Sequence, residues 1–506
     1  MTDNYASSST SHRQDEHTKD AVSSAPSGSL SPKKPVFYRS TFFQATVLGI
    51  CSFLAPGLWG GLSLLGAGGS QSTSLVNAAN SLTFCLMVVT CLLQPALVRL
   101  IGIRYALAFG GAGYSVYAAG LYLNSAYKVT WLIVFGAACC GISAGVFWST
   151  EGAVILAYPE RKNQGRYLSY WLAYRVLGQV LGGAINLGLN ANNANAGSVS
   201  VQTYLVFVIL QALAPFAALL LSPPHKVQRT DGSPVFLEVT GSPTSQITEL
   251  VKCLFRPKIL LLLPLIWSGT FSEAVTGTFN ATYFSVRSRA LGSFLAAILA
   301  IIANCLLGAF LDFRRLTINQ RAKIAYMLVY GLQGAYWIYA IVVMNNFHNR
   351  PEKPTFDWSD SSSDWGRGFG VYLMLQIGFN TCYELAYFIV SGCSDDPEDI
   401  IRLTAIIRGV ESAGQAVSYG INSTSLRLDA VAGINMGLWV IAIIPAWLVV
   451  RKLGITPDGT HIHQYAIYAR SEQRKELVDQ GLAVAAPDQK GAEVDASDAV
   501  RATSRL

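Results

Sequence analysis

The segment GQVLGGAIN (Gly178–Asn186) recurs in the second half of the chain as GQAVSYGIN (Gly414–Asn422). The two copies share Gly, Gln, Ile and Asn at equal spacing. A weaker pair, LLQPAL (Leu92–Leu97) and LLGAFL (Leu306–Leu311), is followed in each half by a basic loop. Internal repeats of this kind are typical of membrane proteins that are built from two related halves. The repeat therefore predicts a two-fold chain.

Composition indicates that these halves lie in a membrane. Hydrophobic residues make up 51% of the chain and charged residues only 13%, against roughly 25% charged in a typical soluble domain. A bilayer core of about 30 Å takes roughly 20 apolar residues per helix, and every backbone group in it must be hydrogen-bonded within a helix or a closed barrel. Because the apolar runs show no strand alternation, we predict an all-α integral membrane protein.

Twelve apolar stretches are long enough to be transmembrane helices, and they divide into two sets of six. They lie near residues 41–65, 74–96, 105–123, 131–157, 167–188, 201–221, 257–281, 290–311, 324–344, 367–392, 402–422 and 430–450. We expect a disordered tail over residues 1–36, a first six-helix bundle over 37–221, a linker over 222–256, a second six-helix bundle over 257–452 and a second tail over 453–506.

The distribution of Lys and Arg predicts the orientation of the chain, since basic loops favour the cytoplasmic side. Alternate loops of the twelve-span topology are basic, and both tails and the linker fall on the same side as these loops. We therefore place both termini in the cytoplasm. The sequence does not distinguish the plasma membrane from an internal membrane. The net charge of +7 is explained by the basic loops, without a nucleic-acid partner.

Four segments carry a recognisable pattern: GISAGVFWSTEG (Gly141–Gly152), NQGRYLSYW (Asn163–Trp171), LGAFLDFRRLTINQRA (Leu307–Ala322) and IIRGVESAGQAVSYGIN (Ile406–Asn422). They resemble the uncoordinated-93-like family of the major facilitator superfamily, and its fungal members most of all. The resemblance implies the major facilitator fold, with two pseudo-symmetric six-helix bundles. It implies little chemistry, because founding members are described as regulators of potassium channels or as trafficking partners of receptors.

The loops after the second and eighth spans resemble the latch motif of facilitators, in which an Asp meets a helix N-terminus or an Arg. The first copy keeps Arg99, Gly102 and Arg104 but lacks the Asp, and the second has Gly308, Asp312, Arg314 and Arg315. We expect both loops to act as conformational latches. The missing Asp of the first copy argues against a symmetric latch.

Ionisable residues inside the predicted spans carry whatever chemistry the chain has, because a charge there is costly unless it faces a cavity or a partner. The resemblance implies that the fourth, seventh and tenth helices line a central cavity, which makes Glu151, Glu273 and Glu384 candidates for a substrate or proton pathway.

The other intramembrane charges, Arg175, Arg408 and Glu411, are candidates for ion pairs. Arg175 could neutralise Glu151 from the next helix, and Arg408 and Glu411 have the i, i+3 spacing at which helical side chains meet. Pathway and structural pair both remain open.

No pattern in the sequence predicts catalysis, a cofactor or a metal site. The nine cysteines lack metal-type spacing, the six histidines fall in tails and loops, and no nucleophile, base and orienting group recur at a plausible spacing. We therefore predict that the protein is not an enzyme. Asn422 begins an Asn-Ser-Thr sequon on the predicted outer side, and it is a candidate for glycosylation.

Two functions remain open for a protein of this kind. The first is a secondary transporter of the major facilitator type, which moves an unknown small solute or ion by alternating access, with possible proton or cation coupling. The alternative is a non-transporting subunit that regulates an ion channel or another membrane protein, or its trafficking. A transporter needs the cavity carboxylates, whereas a regulator tolerates their loss and needs a surface that faces lipid or a partner protein.

Overall fold

The computed structural model describes residues 36–66, 68, 72–160, 164–192, 194, 198–229, 235, 242–313, 315–352, 354–360, 363–393, 397–455, 459 and 461. Nearly all of these residues belong to helices or to the short turns between them. Over the ranges just given, β-structure is limited to isolated bridges, such as the one between Ser40 and Gln228. The predicted all-α class is therefore confirmed for this part of the chain. The expectations for the two tails fall largely outside it.

The described residues of the first half contain eight α-helices. They are α1 (Thr41–Ser52), α2 (Leu58–Leu64), α3 (Thr73–Ile101), α4 (Ile103–Tyr127), α5 (Trp131–Ala157), α6 (Gln164–Asn190), α7 (Val201–Gln211) and α8 (Ala214–Ala218). A π-helical turn, Phe53–Gly57, joins α1 to α2 and contains Pro56. Proline has no backbone N–H and its ring crowds the preceding turn, so the regular helix is interrupted here. The first predicted span is therefore one broken helix.

The described residues of the linker and of the second half contain seven α-helices, of which the first lies in the linker. They are α9 (Pro243–Leu254), α10 (Pro257–Tyr283), α11 (Val286–Leu311), α12 (Ile318–His348), α13 (Ser363–Ser391), α14 (Pro397–Asn422) and α15 (Leu428–Val450). Sequence signals mark several of their starts. Thr317 and Gln320 form a reciprocal capping box at the start of α12, and the Ser285 hydroxyl accepts a hydrogen bond from the Ser288 N–H at the start of α11.

Nine helical stretches within the described ranges are long and apolar enough to cross a membrane. They are Thr41–Leu64, Thr73–Ile101, Trp131–Ala157, Val201–Ala218, Pro257–Tyr283, Val286–Leu311, Ile318–His348, Ser363–Ser391 and Leu428–Val450. The other long helices, α4, α6 and α14, are more polar, and two of them contain buried charges: Arg175 in α6, and Arg408 and Glu411 in α14. The protein is therefore an integral, multi-pass membrane protein.

The helices of the two halves pair in the same way. In the first half α4 packs on α5 and α7, and α3 packs on α5; in the second, α12 packs on α13 and α15, and α11 packs on α13. Between the halves, α3 runs along α14 and α6 runs along α11. The approach of α6 to α11 is close at Gly183, where an added Cβ would lie 2.7 Å from the Phe294 Cα. The repeated segments of the sequence therefore lie at the contact between the halves.

Side chains of the second half close the C-terminal end of α2. The Arg289 Nε donates a hydrogen bond to the Leu65 carbonyl at 2.6 Å. The Asn280 Nδ2 and the Tyr372 hydroxyl each donate to the Leu64 carbonyl at 3.0 Å. The last carbonyls of a helix lack partners within it and carry partial negative charge, so a buried arginine is well placed there. We call these five residues the α2 closure.

Candidate functional site

A cavity lies where helices of the two halves meet. Residues of the α1–α2 stretch and of α3, α4, α5 and α6 line it from the first half, and residues of α10, α13 and α14 line it from the second. It leaves about 60 Å³ for the centres of water molecules. Since roughly 10–15 Å³ of such space is enough for one water, the cavity has room for several waters or one small solute.

Arg175 is a buried cation in the wall of this cavity. Its side chain extends from α6 and is only 5% exposed. The Nε and Nη2 atoms have no hydrogen-bond partner, and no carboxylate oxygen lies within 4 Å, among the residues for which the structure gives positions. The guanidinium carbon lies 4.7 Å from the centre of the Tyr383 ring and 5.4 Å from that of Trp148. Such contacts stabilise a cation by about 0.5–2 kcal/mol but leave its N–H groups without acceptors.

Arg408 lies beside the same rings but has a partner. It forms an ion pair with Glu411 one helical turn further along α14, and its Nη1 lies 3.1 Å from the Tyr383 hydroxyl. Its guanidinium carbon is 4.1 Å from the centre of the Trp148 ring. Both Arg408 and Glu411 are buried. The pair therefore contributes little net charge to the cavity.

Glu151 is fully buried and does not face the cavity. One of its oxygens, Oε2, accepts hydrogen bonds from the Ser52 hydroxyl at 2.5 Å and from the Trp171 indole N–H at 3.3 Å. The pairing of Glu151 with Arg175 that the sequence allowed is not present. Glu151 instead faces side chains of α1 and α6, while the Arg175 guanidinium lies against the rings of Trp148 and Tyr383.

Glu273 is the candidate carboxylate that faces the cavity. It extends from α10, is half-buried and accepts a hydrogen bond from the Gln415 Nε2 at 2.5 Å. The Gln415 Oε1 is buried and accepts no hydrogen bond within the described part of the chain. Because Gln415 is on α14, this contact lies within the second half. Both residues line the cavity, which Arg175 lines from the first half.

Glu384 lies elsewhere, against the Gly308 that the sequence assigned to a latch loop. A Cβ at Gly308 would lie 2.9 Å from the Glu384 Oε1 and 2.7 Å from the Ser169 hydroxyl oxygen. Glu384 is buried, and it is not among the residues that line the cavity. The three carboxylates that the sequence grouped into one pathway are therefore not brought together. They occupy three separate environments.

The first latch loop is a tight turn between two helices. Arg99 lies in the last turn of α3, and Gly102 separates α3 from α4 with a φ of 81°. Only glycine adopts this left-handed region readily, which explains the residue. The Arg104 guanidinium lies 5.9 Å from the centre of the Tyr105 ring.

The second latch loop follows α11. Asp312 caps the end of this helix, and both Asp312 and Arg315 are exposed. Arg314 lies outside the described residues. The latch role of both loops stays a prediction.

Asn422, the glycosylation candidate, ends α14 and is buried. Its Nδ2, to which a glycan would be attached, donates a hydrogen bond to the Ser418 carbonyl at 2.8 Å. The last turn of α14 would have to open before this atom could be modified. Glycosylation of Asn422 stays a prediction.

Sequence reasoning left Tyr383 out of the site. Its ring contacts both arginines, and its hydroxyl lies within hydrogen-bond distance of Arg408. The only available signal was the i, i+4 spacing of Phe379, Tyr383 and Tyr387 along α13, and aromatic residues at this spacing are common in helix cores.

Known proteins resemble this chain over most of its length. A family described as "Ion channel regulatory protein UNC-93" matches residues 77–347, a range that contains Glu151, Arg175 and Glu273. Notoamide biosynthesis cluster protein O' from Aspergillus versicolor is 44% identical over 434 residues, which cover 86% of this chain and 93% of that protein. An UNC93-like protein from Schizosaccharomyces pombe is 27% identical over 84% of this chain and 85% of its own. UNC93-like protein 1 from Arabidopsis thaliana is 26% identical over 81% and 90%, respectively.

Proposed function

Because the chain belongs to the UNC-93 family of multi-pass membrane proteins, we propose that it is a secondary transporter that moves a small solute by alternating access. The observation that supports this function is Arg175, a buried cation with unpaired N–H groups in the wall of the cavity between the halves. A charge inside a membrane protein is costly, and one with a purely structural role is expected to have a partner, as Arg408 has Glu411. A charge that faces a cavity favours a ligand site.

The proposed fold is that of the major facilitators, with bundles over residues 37–221 and 257–452. It adds α4, α6 and α14 to the nine apolar stretches, which gives twelve spans and places both ends of the chain on one side of the membrane. The repeated pairing of helices in the two halves supports this fold. The polarity of α6 and α14 fits the proposal too, since the charged residues in the middle of these helices, Arg175, Arg408 and Glu411, lie at or beside the cavity.

Alternating access requires contacts between the halves that can break and reform. The α2 closure is one such set, because its donors come from the second half and its acceptors from the first. In the proposed cycle these hydrogen bonds break when the cavity opens at that end. If transport is coupled to protons or cations, Glu273 is the coupling residue that we propose, since it is the candidate carboxylate that lines the cavity.

A channel regulator is the second candidate function, and the description of the matching family supports it. A regulator acts through a surface that contacts another membrane protein and has no need of an unpaired charge in its interior. The two functions therefore differ in whether the cavity residues matter.

Flux measurements test the proposal. Purified protein in lipid vesicles is given potassium and a panel of small organic solutes, with and without a pH gradient, and wild type is compared with Arg175→Gln and Glu273→Gln. The matched control is Arg367→Gln. It removes an arginine whose side chain is 45% exposed and whose ion pair with Asp364 is long, at 3.5 Å. We expect flux in wild type and in the control, and loss of flux in Arg175→Gln. Well-folded protein that moves none of the solutes, with or without the pH gradient, would favour the regulator.

A further inference from the structure

We propose that the cavity binds a small organic carboxylate that also carries a hydrogen-bond donor, as amino acids and hydroxy acids do, with the carboxylate on Arg175 and the donor on Gln415. As a transport substrate this ligand rests on the function proposed above. As a binding site it stands on its own geometry, and the two are tested separately.

The donor arrangement of Arg175 fits a carboxylate. Its unpaired atoms, Nε and Nη2, belong to one planar guanidinium group, and such a fork can bind both oxygens of a carboxylate at once. The rings of Trp148 and Tyr383 contact the guanidinium and restrict where it can lie. The fork is therefore held in place before the ligand arrives, which lowers the entropy that binding must overcome.

The charge of the site favours a ligand with a single carboxylate over phosphate or sulfate. Arg408 is balanced by Glu411, so Arg175 is the lining cation that the described residues leave without a counter-charge in contact. Glu273 faces the same cavity and repels a second negative charge on the ligand. Apolar side chains such as Phe84 and Met87 also line the site, and they offer no donors to a multiply charged anion.

The part of the wall that comes from the second half calls for a hydrogen-bond donor on the ligand. The Gln415 Nε2 already donates to Glu273, which fixes the amide so that its Oε1 is the group left without a partner. A hydroxyl or an ammonium group is the complement of that oxygen. Gln415 is on α14 and Arg175 on α6, so a ligand that contacts both joins the two halves of the protein.

The size of the cavity limits the ligand in this conformation. A space of about 60 Å³ for the centres of water molecules corresponds to roughly four to six waters. A molecule with a similar number of non-hydrogen atoms, such as lactate or alanine, fits this space. The unpaired atoms of Arg175 and Gln415 are themselves buried, so the ligand reaches them when the side chains around them move aside. Larger acids need the walls to move.

Binding to the purified full-length protein in detergent tests the inference without transport. The readout is titration calorimetry, checked by the fluorescence of the tryptophans that line the cavity. The probes are L-lactate, L-alanine, propanoate, L-lactamide and inorganic phosphate. We expect lactate or alanine to bind, propanoate to bind about fivefold to tenfold more weakly because it lacks the donor, and lactamide and phosphate not to bind. Phosphate binding as tight as that of the acids, or lactamide binding as tight as that of lactate, would overturn the inference.

Variants then assign the binding to its residues. We expect Arg175→Gln to weaken acid binding at least roughly tenfold, and Arg175→Lys to weaken it less, because lysine keeps the charge but loses the planar fork. Gln415→Leu should bring the affinities for lactate and propanoate together. The control Arg367→Gln should bind as wild type does. Unchanged affinity in a well-folded Arg175→Gln would refute the site, whereas the comparison of lactate with lactamide remains informative if that variant does not fold.

The failures of the two proposals can be told apart. Acid binding without flux in vesicles would refute transport and leave the site in place. Flux of other solutes, with no binding of the acids, would refute the ligand class and leave transport in place.

Discussion

Arg175 and Arg408 contact the same two aromatic rings although they come from different halves of the chain. Arg175 lies 5.4 Å from the Trp148 ring centre and 4.7 Å from that of Tyr383, and Arg408 lies 4.1 Å and 5.7 Å from them. Of these two arginines, only Arg408 has an ion-pair partner within the described residues. That partner is Glu411. The equivalent positions of the repeat are Arg175 and Glu411, so an arginine in one half corresponds to a carboxylate in the other. At this position of the repeat the two halves therefore carry opposite charges.

Arg408 and Glu411 should depend on each other for their effect on the stability of the protein. Glu411→Gln leaves two buried arginines close to the same rings without a carboxylate, and we expect it to destabilise the protein by about 3–5 kcal/mol. Arg408→Met should cost a similar amount, because it leaves Glu411 buried and unpaired. The double variant should recover most of the loss. Thermal unfolding in detergent measures the cycle, and additive losses in the double variant would show that the two residues are not coupled.

Gly183 should be intolerant of any side chain. A Cβ there meets the Phe294 backbone on α11, so we expect Gly183→Ala to force α6 and α11 apart and destabilise the protein by about 1–3 kcal/mol. Gly188→Ala is the matched control, because it lies on the same helix with nothing within 4 Å of its added Cβ. Thermal unfolding compares the two variants. Equal melting temperatures would contradict the close packing, since alanine alone raises helix propensity equally at both sites.

Asp357 should stabilise the protein at neutral pH and cease to do so in acid. Its hydrogen bonds to Arg287 first, and then to Ser285 and Ser359, hold the pKa of this loop carboxyl well below its ordinary value of 3.8. A group whose pKa is lowered on folding adds stability that is fully present above the unfolded value and is lost as pH falls through the folded one. We expect Asp357→Asn to cost roughly 1–3 kcal/mol at pH 7. The difference from wild type should shrink as pH falls below 3.8.

Thermal unfolding of wild type and Asp357→Asn, from pH 7 down to the lowest pH at which the protein stays soluble, measures this difference. A gap that is constant across the range, or that widens in acid, would contradict the assignment. Asp360→Asn is a suitable comparison in the same loop, because the Asp360 carboxylate accepts from the Asp357 N–H without a bond to Arg287.

Arg289 should keep the C-terminal end of α2 closed. Arg289→Met keeps the length of the side chain but removes every donor to the Leu65 carbonyl, so the helix end should open more often. The variant also loses the hydrogen bond from the Arg289 Nη2 to the Gly66 carbonyl. We expect amide hydrogen exchange in residues 58–66 to rise by at least roughly tenfold, as the loss of two charged hydrogen bonds implies. Exchange measured by mass spectrometry tests this, with Arg367→Gln as the control. Equal exchange in Arg289→Met and wild type would remove Arg289 from the closure.

The helical ranges could be predicted from the length of the apolar stretches, and each of the twelve predicted ranges overlaps a long helix or an interrupted one. Local chemistry explains where the ends and breaks differ. The first range was read as continuous because its apolar run continues through Pro56, where the helix makes a π-helical turn. The packing of α9 against α3 and α14 could not be predicted, because contacts between distant segments produce no pattern in the sequence.

The site was only partly predictable. The sequence identified the six charged residues discussed above, because an ionisable residue stands out in an apolar run, but it did not identify Arg289, which is buried in α11. The i, i+3 spacing indicated the pair of Arg408 with Glu411, but nothing in the sequence indicated that Glu151 and Arg175 would lie apart.

Pairing depends on side chains from three other helices. Trp148 of α5 and Tyr383 of α13 occupy the space around Arg175, whereas Ser52 of α1 contacts Glu151. The sequence therefore predicted three carboxylates around the cavity. In the structure Glu273 lines it, and Arg175 is the charged group in the cavity wall that has no partner among the described residues.

The α2 closure has an uneven tolerance to sequence change. Its acceptors are backbone carbonyls of Leu64 and Leu65, which persist whatever side chain occupies those positions, whereas its donors are the side chains of Arg289, Asn280 and Tyr372. Drift in the first half leaves the hydrogen bonds available, and a single change in the second half removes one. A scan of all substitutions would therefore find this contact almost entirely on one side. A search for compensating pairs of substitutions across it would find none, because one partner has no side chain to change.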